Sequence, residues 1–149
     1  MRKMLVFDMD GTIANLYAVE GWLKDLQSGN SRPYAEAEPM YDMDEMRDIL
    51  KELQNKGWKV AITTWLAMNA TEEYNQAVTK VKKEWLKKYD FPYDEIHCVK
   101  YGTTKANCTR KKADFQILFD DNKKIRDGWT LGTTVNANYD IMKFLKALV

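Results

Sequence analysis

The sequence predicts an α/β fold, a Rossmann-like parallel sheet with helices on both faces and one small insertion. Three observations carry that reading. Short apolar or β-branched runs alternate along the chain with longer segments of helical periodicity. Three of the runs end in oxygen-bearing residues, Asp8, Thr63-Thr64 and Asp120-Asp121, as strands bordering a shared crevice would. The length of 149 residues suits one domain, and no repeat, low-complexity stretch or linker divides residues 1–149.

The elements follow in order. Lys3–Phe7 is an apolar strand that stops at Asp8. A polar stretch follows, with one helix expected over residues 19–27, where Val19, Trp22, Leu23 and Leu26 share a face. Residues 42–55 form an amphipathic helix, because Met43, Met46, Ile49, Leu50 and Leu53 recur at steps of three and four. Gly57 ends it, and the β-branched run 59–63 is the second strand. Residues 71–89 form a long helix with Tyr74, Val78, Val81, Trp85 and Tyr89 on one stripe. Lys82, Lys83, Lys87 and Lys88 are assigned to its solvated face. Strands at Glu95–Val99 and 115–119, a short helix at 123–129, a strand at 131–135 and a helix at 139–148 complete the series.

Composition excludes several classes. The 23 basic and 22 acidic residues leave a formal charge of +1, so the chain as a whole lacks the basic footprint of a nucleic-acid binder. No apolar run approaches the roughly 20 residues that span a bilayer. The basic start, Met1-Arg2-Lys3, is followed by only four apolar residues before Asp8, too few for a secretory signal. Cys98, Cys108 and His97 lack the spacing of a zinc site. These features lead to the expectation of a soluble, cytoplasmic protein.

The chemistry-bearing signal is Asp8-Met9-Asp10-Gly11-Thr12 directly after an apolar strand. A DxDGT match arises by chance in about one chain in a thousand of this length. Taken singly, the later elements have bland explanations. Asp10-Gly11 is a common turn pair, Thr63-Thr64 is ordinary strand composition, and Asp120-Asp121-Asn122 suits a helix N-cap. Their order and their placement at strand ends argue for a site.

This motif series resembles the haloacid dehalogenase-like (HAD) superfamily of phosphotransferases, across nearly the whole chain and in its small-cap form. The resemblance implies that Asp8 is a nucleophile forming an aspartyl-phosphate and that Asp10 is the general acid and base. It implies a hydroxyl at Thr63 or Thr64 binding a phosphoryl oxygen, both alignments remaining open. It implies a charge-neutralising lysine, Lys105, with Lys100 as the other candidate. It also implies one Mg²⁺ held by Asp8, the backbone carbonyl of Asp10, and the acidic pair, with Asp121 as direct ligand and Asp120 in support.

Substrate choice falls to the insertion at residues 13–41, too short for a large cap and expected to form a small lid. It carries Tyr17, Trp22, Arg32, Tyr34 and Tyr41, of which Arg32 and Tyr34 are the candidate substrate-binding pair. The acidic pair followed by a basic residue, together with Trp85, is distantly similar to 5′(3′)-deoxyribonucleotidases. Arg32-Pro33-Tyr34 and Gly102-Thr103-Thr104-Lys105 are distantly similar to the 3′-phosphatase module of polynucleotide kinase-phosphatases. The expected function is therefore a Mg²⁺-dependent phosphomonoester hydrolase acting on a nucleotide or other small phosphorylated metabolite. One alternative is a 3′-phosphatase acting on DNA or RNA ends, for which Arg110-Lys111-Lys112 would supply a basic path. The other is a weakly active phosphate-binding regulatory protein. No membrane partner is expected, and oligomeric state is not legible.

Overall fold

A computed structural model describes all 149 residues. Strands β1 (Lys3–Phe7), β4 (Trp58–Trp65), β5 (Glu95–Val99), β6 (Phe115–Asp120) and β7 (Gly132–Asn136) form one sheet. Its order is β5-β4-β1-β6-β7, and every pairing is parallel. The chain first builds outward from β1 through β4 to β5, then returns to the other side of β1 for β6 and β7. The strand order thus reverses between β1 and β6, where open α/β sheets leave a crevice beyond the strand ends.

Alternation along β1 divides the core between the two faces. Leu5 and Phe7 join Val60, Ile62, Ile117 and Phe119 under α3 (Met43–Asn55), α7 (Ile141–Leu148) and the end of α4 (Glu72–Lys88). Met4 and Val6 face the other way, with Ala61, Leu118, Ala106 and Trp129. There they meet the short helices α5 (Ala106–Thr109) and α6 (Lys123–Asp127). Helices therefore cover both faces, as the alternating pattern predicts. The rings of Phe7 and Phe119 stack at 4.5 Å, and Phe91 meets Phe7 edge-on at 5.6 Å. Burying each such ring contributes about 1.5–3 kcal/mol, so the strand ends beneath the crevice are firmly held.

Helix starts are set locally. Asp42 accepts bonds from the amides of Asp44 and Glu45, Thr71 from Tyr74, and Asp140 from Lys143. The 13–41 insertion differs from the single helix expected at 19–27. It holds a two-residue ribbon, β2 (Ala14–Asn15) with β3 (Glu38–Pro39), a 3-10 turn at Leu16–Ala18, and two short helices. The first, α1 (Trp22–Gln27), begins only after Gly21 at φ +72°, which leaves Val19 outside it. The second, α2 (Arg32–Glu36), carries Pro33 in its first turn, where a fixed φ and a missing N–H cost nothing. No helix is long and apolar enough to cross a membrane.

Candidate active site

Register brings the strand-end residues together. Phe7 pairs with Ile62 on one side and Phe119 on the other, so the next residues, Asp8, Thr63 and Asp120, lie side by side. Asp8 still donates its amide to the Phe119 carbonyl at 3.0 Å. The chain then turns sharply at Gly11, with φ +80°. A side chain there would run into the Asp121 carboxylate and the Tyr17 ring, which explains a residue without a Cβ. The Thr12 hydroxyl donates to Asp8 Oδ2 at 3.1 Å and fixes one side of that carboxylate.

Lys105 fixes the other. Its ammonium, 3% exposed, donates to Asp8 Oδ1 at 2.9 Å and to Asp120 Oδ2 at 2.8 Å. Burial alone would lower the pKa of Lys105, but the two carboxylates more than offset it and leave the group firmly protonated. Lys100 is exposed and does not line the cleft, so of the two candidate lysines it is Lys105 that reaches Asp8. Asp120 is fully buried and also accepts the Asn122 amide on Oδ1 at 3.0 Å.

Asp8, Asp120 and Asp121 can each offer a carboxylate oxygen within 4.8 Å of the others. Burial first, then the charge of Asp8, push the carboxyl of Asp120 up to about 6 and that of Asp121 up to about 8. With Asp10 included, four carboxylates face two ammonium groups, Lys105 and Lys82. An all-oxygen donor set with two uncompensated negative charges fits a hard divalent cation. Both Asp120 oxygens are bonded to donors on other residues, Lys105 and the Asn122 amide, whereas no lysine or arginine pairs with Asp121. The Asp10 carboxylate stands outside this trio.

Asp10 is held by a residue that the sequence reading misplaced. Lys82 does not lie on a solvated helix face; it is 1% exposed. Its ammonium donates to Asp10 Oδ2 at 3.0 Å, Thr64 Oγ1 at 2.7 Å and the Trp65 carbonyl at 2.9 Å. Burial raises the Asp10 pKa, and Lys82 acts against that rise. The position of Lys82 along the helix accounts for its burial. Lys82 lies four residues after Val78 and three before Trp85, on the same apolar stripe. A lysine inside such a stripe was the available signal. Lys83, Lys87 and Lys88 are exposed, as expected.

The same lysine separates the two threonines. The Thr64 hydroxyl is occupied by Lys82, whereas Thr63 Oγ1 is buried beside Asp8 with no protein partner. A buried orphan hydroxyl calls for a ligand or water.

Above these groups opens a cleft of about 590 Å³. Tyr17 and Trp22 of the insertion form one aromatic pair on its wall, with centroids 4.9 Å apart. Trp65 and Tyr101 form a second, 4.8 Å apart, and Trp65 Nε1 donates to the Thr103 carbonyl at 2.8 Å. Tyr34 also lines the cleft. Arg32 does not. Its guanidinium is engaged by Asp25 at 2.7 Å, by Glu36 and by the Glu20 carbonyl at 2.8 Å, so it braces the insertion. Arg110, Lys111 and Lys112 are exposed at the far end of α5 and do not line the cleft. Lys105 is the one basic residue on its wall.

No protein-family model matches the chain, and no curated protein sequence matches it. The crystal structure of D,D-heptose 1,7-bisphosphate phosphatase from Burkholderia thailandensis does match, with a TM-score of 0.59. The match covers 99% of this chain and 98% of that one, at 12% sequence identity. The two chains share a fold. The parallel α/β sheet anticipated from the sequence is thus shared with that phosphatase, and the DxDGT motif lies at the end of the central strand of the sheet.

Proposed function

We propose that the protein is a Mg²⁺-dependent phosphomonoester hydrolase that works through an aspartyl-phosphate on Asp8. The observation that carries this reading is the placement of Asp8. Its carboxylate is gripped by Lys105 and Thr12 at the floor of an open cleft, with the Asp10 carboxyl also on the wall. Asp8, Asp121 and the Asp10 backbone carbonyl, supported by Asp120, would hold the cation. Once bound, it would polarise the phosphoryl group and offset the crowded carboxylates.

In the first step an Asp8 oxygen attacks phosphorus and the bond from phosphorus to the leaving oxygen breaks. Asp10 gives its proton to that oxygen and the alcohol departs. In the second step Asp10, now a carboxylate, takes a proton from water as the water oxygen attacks phosphorus. The Asp8–phosphorus linkage breaks, inorganic phosphate leaves, and Asp10 is again protonated. Lys105 neutralises charge on Asp8 throughout, and the Thr63 hydroxyl, buried next to Asp8 without a protein partner, would donate to a phosphoryl oxygen that reaches it.

The cleft favours a small substrate with a flat, neutral leaving group, a nucleoside monophosphate first among them. Two aromatic pairs offer stacking surfaces, and no second basic residue is present to hold a second phosphate. The position of Arg110-Lys111-Lys112 outside the cleft weighs against a polynucleotide end. The test is phosphate release from 5′- and 3′-mononucleotides, sugar phosphates and 3′-phosphorylated oligonucleotides. Each is run with Mg²⁺, with chelator, and with Asp8→Asn protein. Metal-dependent turnover, highest on mononucleotides and lost in the variant, is expected. No turnover by folded protein on any member would overturn the hydrolase reading in favour of the phosphate-binding alternative.

A further inference from the structure

Lys82 has no role in the chemistry outlined above, yet its environment is built around its charge. Removing an ammonium from water costs several kcal/mol even after relaxation, and an apolar side chain of similar length would fill the same space. Here all three of its N–H groups are used, and on separate parts of the molecule. They reach Asp10 on the loop after β1, and the Thr64 hydroxyl and Trp65 carbonyl at the end of β4. The Tyr34 ring of α2 lies 5.0 Å from the same nitrogen, which ties the insertion to this point as well. Lys82 does not itself line the cleft, so any influence on substrate passes through what it holds.

What it holds is one oxygen of Asp10. Oδ2 is bonded to Lys82, while Oδ1 makes no hydrogen bond within the protein and Asp10 lines the cleft. We infer that Lys82 is a positioning residue for Asp10: it turns Oδ2 into the protein and leaves Oδ1 to the cleft for both proton transfers. This rests on the hydrolase reading given above. The clamp also keeps the Asp10 carboxylate apart from the trio of Asp8, Asp120 and Asp121. Without it, rotation about the side chain would bring Oδ1 out of line with the reacting oxygens, and misplacement by about 1 Å is enough to cost about a hundredfold in rate.

The inference is tested with the full chain in Mg²⁺, using two substrates that differ in their need for a proton donor. An aryl phosphate such as p-nitrophenyl phosphate loses a stable phenolate, so the first step proceeds without Asp10. A nucleoside monophosphate loses an alkoxide and needs the proton. Both need Asp10 as base in the second step. For Lys82→Met, steady-state turnover is expected to fall about a hundredfold on both substrates. With the aryl phosphate, a burst of about one phenolate per active site should precede the slow phase, since the phosphorylated enzyme accumulates. The nucleotide should give no burst.

The second arm covers poor folding of Lys82→Met, which leaves Asp10 buried without its cation. Asp10→Asn and the double variant Asp10→Asn with Lys82→Met are compared by thermal unfolding and by the same burst. If Lys82 acts through Asp10, the double variant matches Asp10→Asn within about twofold. Wild-type turnover in Lys82→Met, a burst and steady state slowed together, or losses that multiply in the double variant would overturn the inference. Folded wild-type protein inactive on every substrate would overturn the hydrolase reading and this inference with it; the other outcomes overturn the clamp alone.

Discussion

Replacing Asp121 by asparagine is predicted to stabilise the metal-free protein and to remove its response to Mg²⁺. Lys82 is committed to Asp10, and Lys105 to Asp8 and Asp120, so Asp121 has no cation of its own. Its carboxylate nevertheless sits in a trio whose oxygens lie within 4.8 Å of one another. Two unit charges at that spacing repel by about 3–4 kcal/mol at an effective dielectric of about 20. Asp121 is partly exposed, so solvent screening reduces the net penalty to about 1–2 kcal/mol. For a chain of this size that corresponds to a Tm higher by about 3–6 °C in the variant.

The sign with pH follows from the direction of the shift. Burial, then the charge of Asp8, raise the Asp121 pKa to about 8, far above that of an unfolded carboxyl. Ionisation is therefore harder in the folded chain. The associated stability is fully present below about pH 4 and is lost as pH rises toward 8. Thermal unfolding of both proteins in EDTA, at pH 5 and pH 8, reads this directly. The wild-type Tm should fall between the two pH values, the variant should fall less, and Mg²⁺ should restore the wild type alone. A variant Tm equal to or below wild type at pH 8 in EDTA would refute the electrostatic reasoning. An equal gain from Mg²⁺ in both would refute Asp121 as a ligand.

Other predictions are more local. Lys105→Met strands the buried carboxylate of Asp120 and is expected to cost about 3–5 kcal/mol, measured by urea unfolding; a loss under about 1 kcal/mol would show the pair to be dispensable. Gly11→Ala forces a side chain toward Asp121 and Tyr17 at positive φ and should cost about 1–3 kcal/mol by the same measurement. Tyr101→Ala removes an exposed stacking surface, so KM for a nucleoside monophosphate should rise about tenfold with stability unchanged, and an unaltered KM would argue against base stacking there. Changing Arg110, Lys111 and Lys112 together to alanine should leave mononucleotide turnover within about twofold, because these exposed groups lie outside the cleft.

Much of this architecture was readable from local pattern. Lys3–Phe7 is an apolar strand bounded by Asp8, and the periodicity of Met43, Met46, Leu50 and Leu53 identifies a helix wherever it docks. The insertion was less readable. Its pieces are only two to six residues long, too short for periodicity to emerge, and they are shaped by Gly21 and Pro33.

The order of strands and helices and the three oxygen-bearing strand ends follow from the sequence, because these depend on side-chain spacing along one segment. Tertiary structure alone decided which equivalent-looking residue went where. Thr63 and Thr64 point to opposite faces of one strand, and only the arrival of Lys82 from α4 occupies the second. Lys105 is buried and Lys100 exposed because carboxylates from β1 and β6 converge on the first. Arg32 is held away from the cleft by Asp25 of α1 and by the Glu20 carbonyl. In each case the deciding interaction joins groups distant in the chain or in separate elements, and the free energy of a charge depends on which partners surround it once water has been removed.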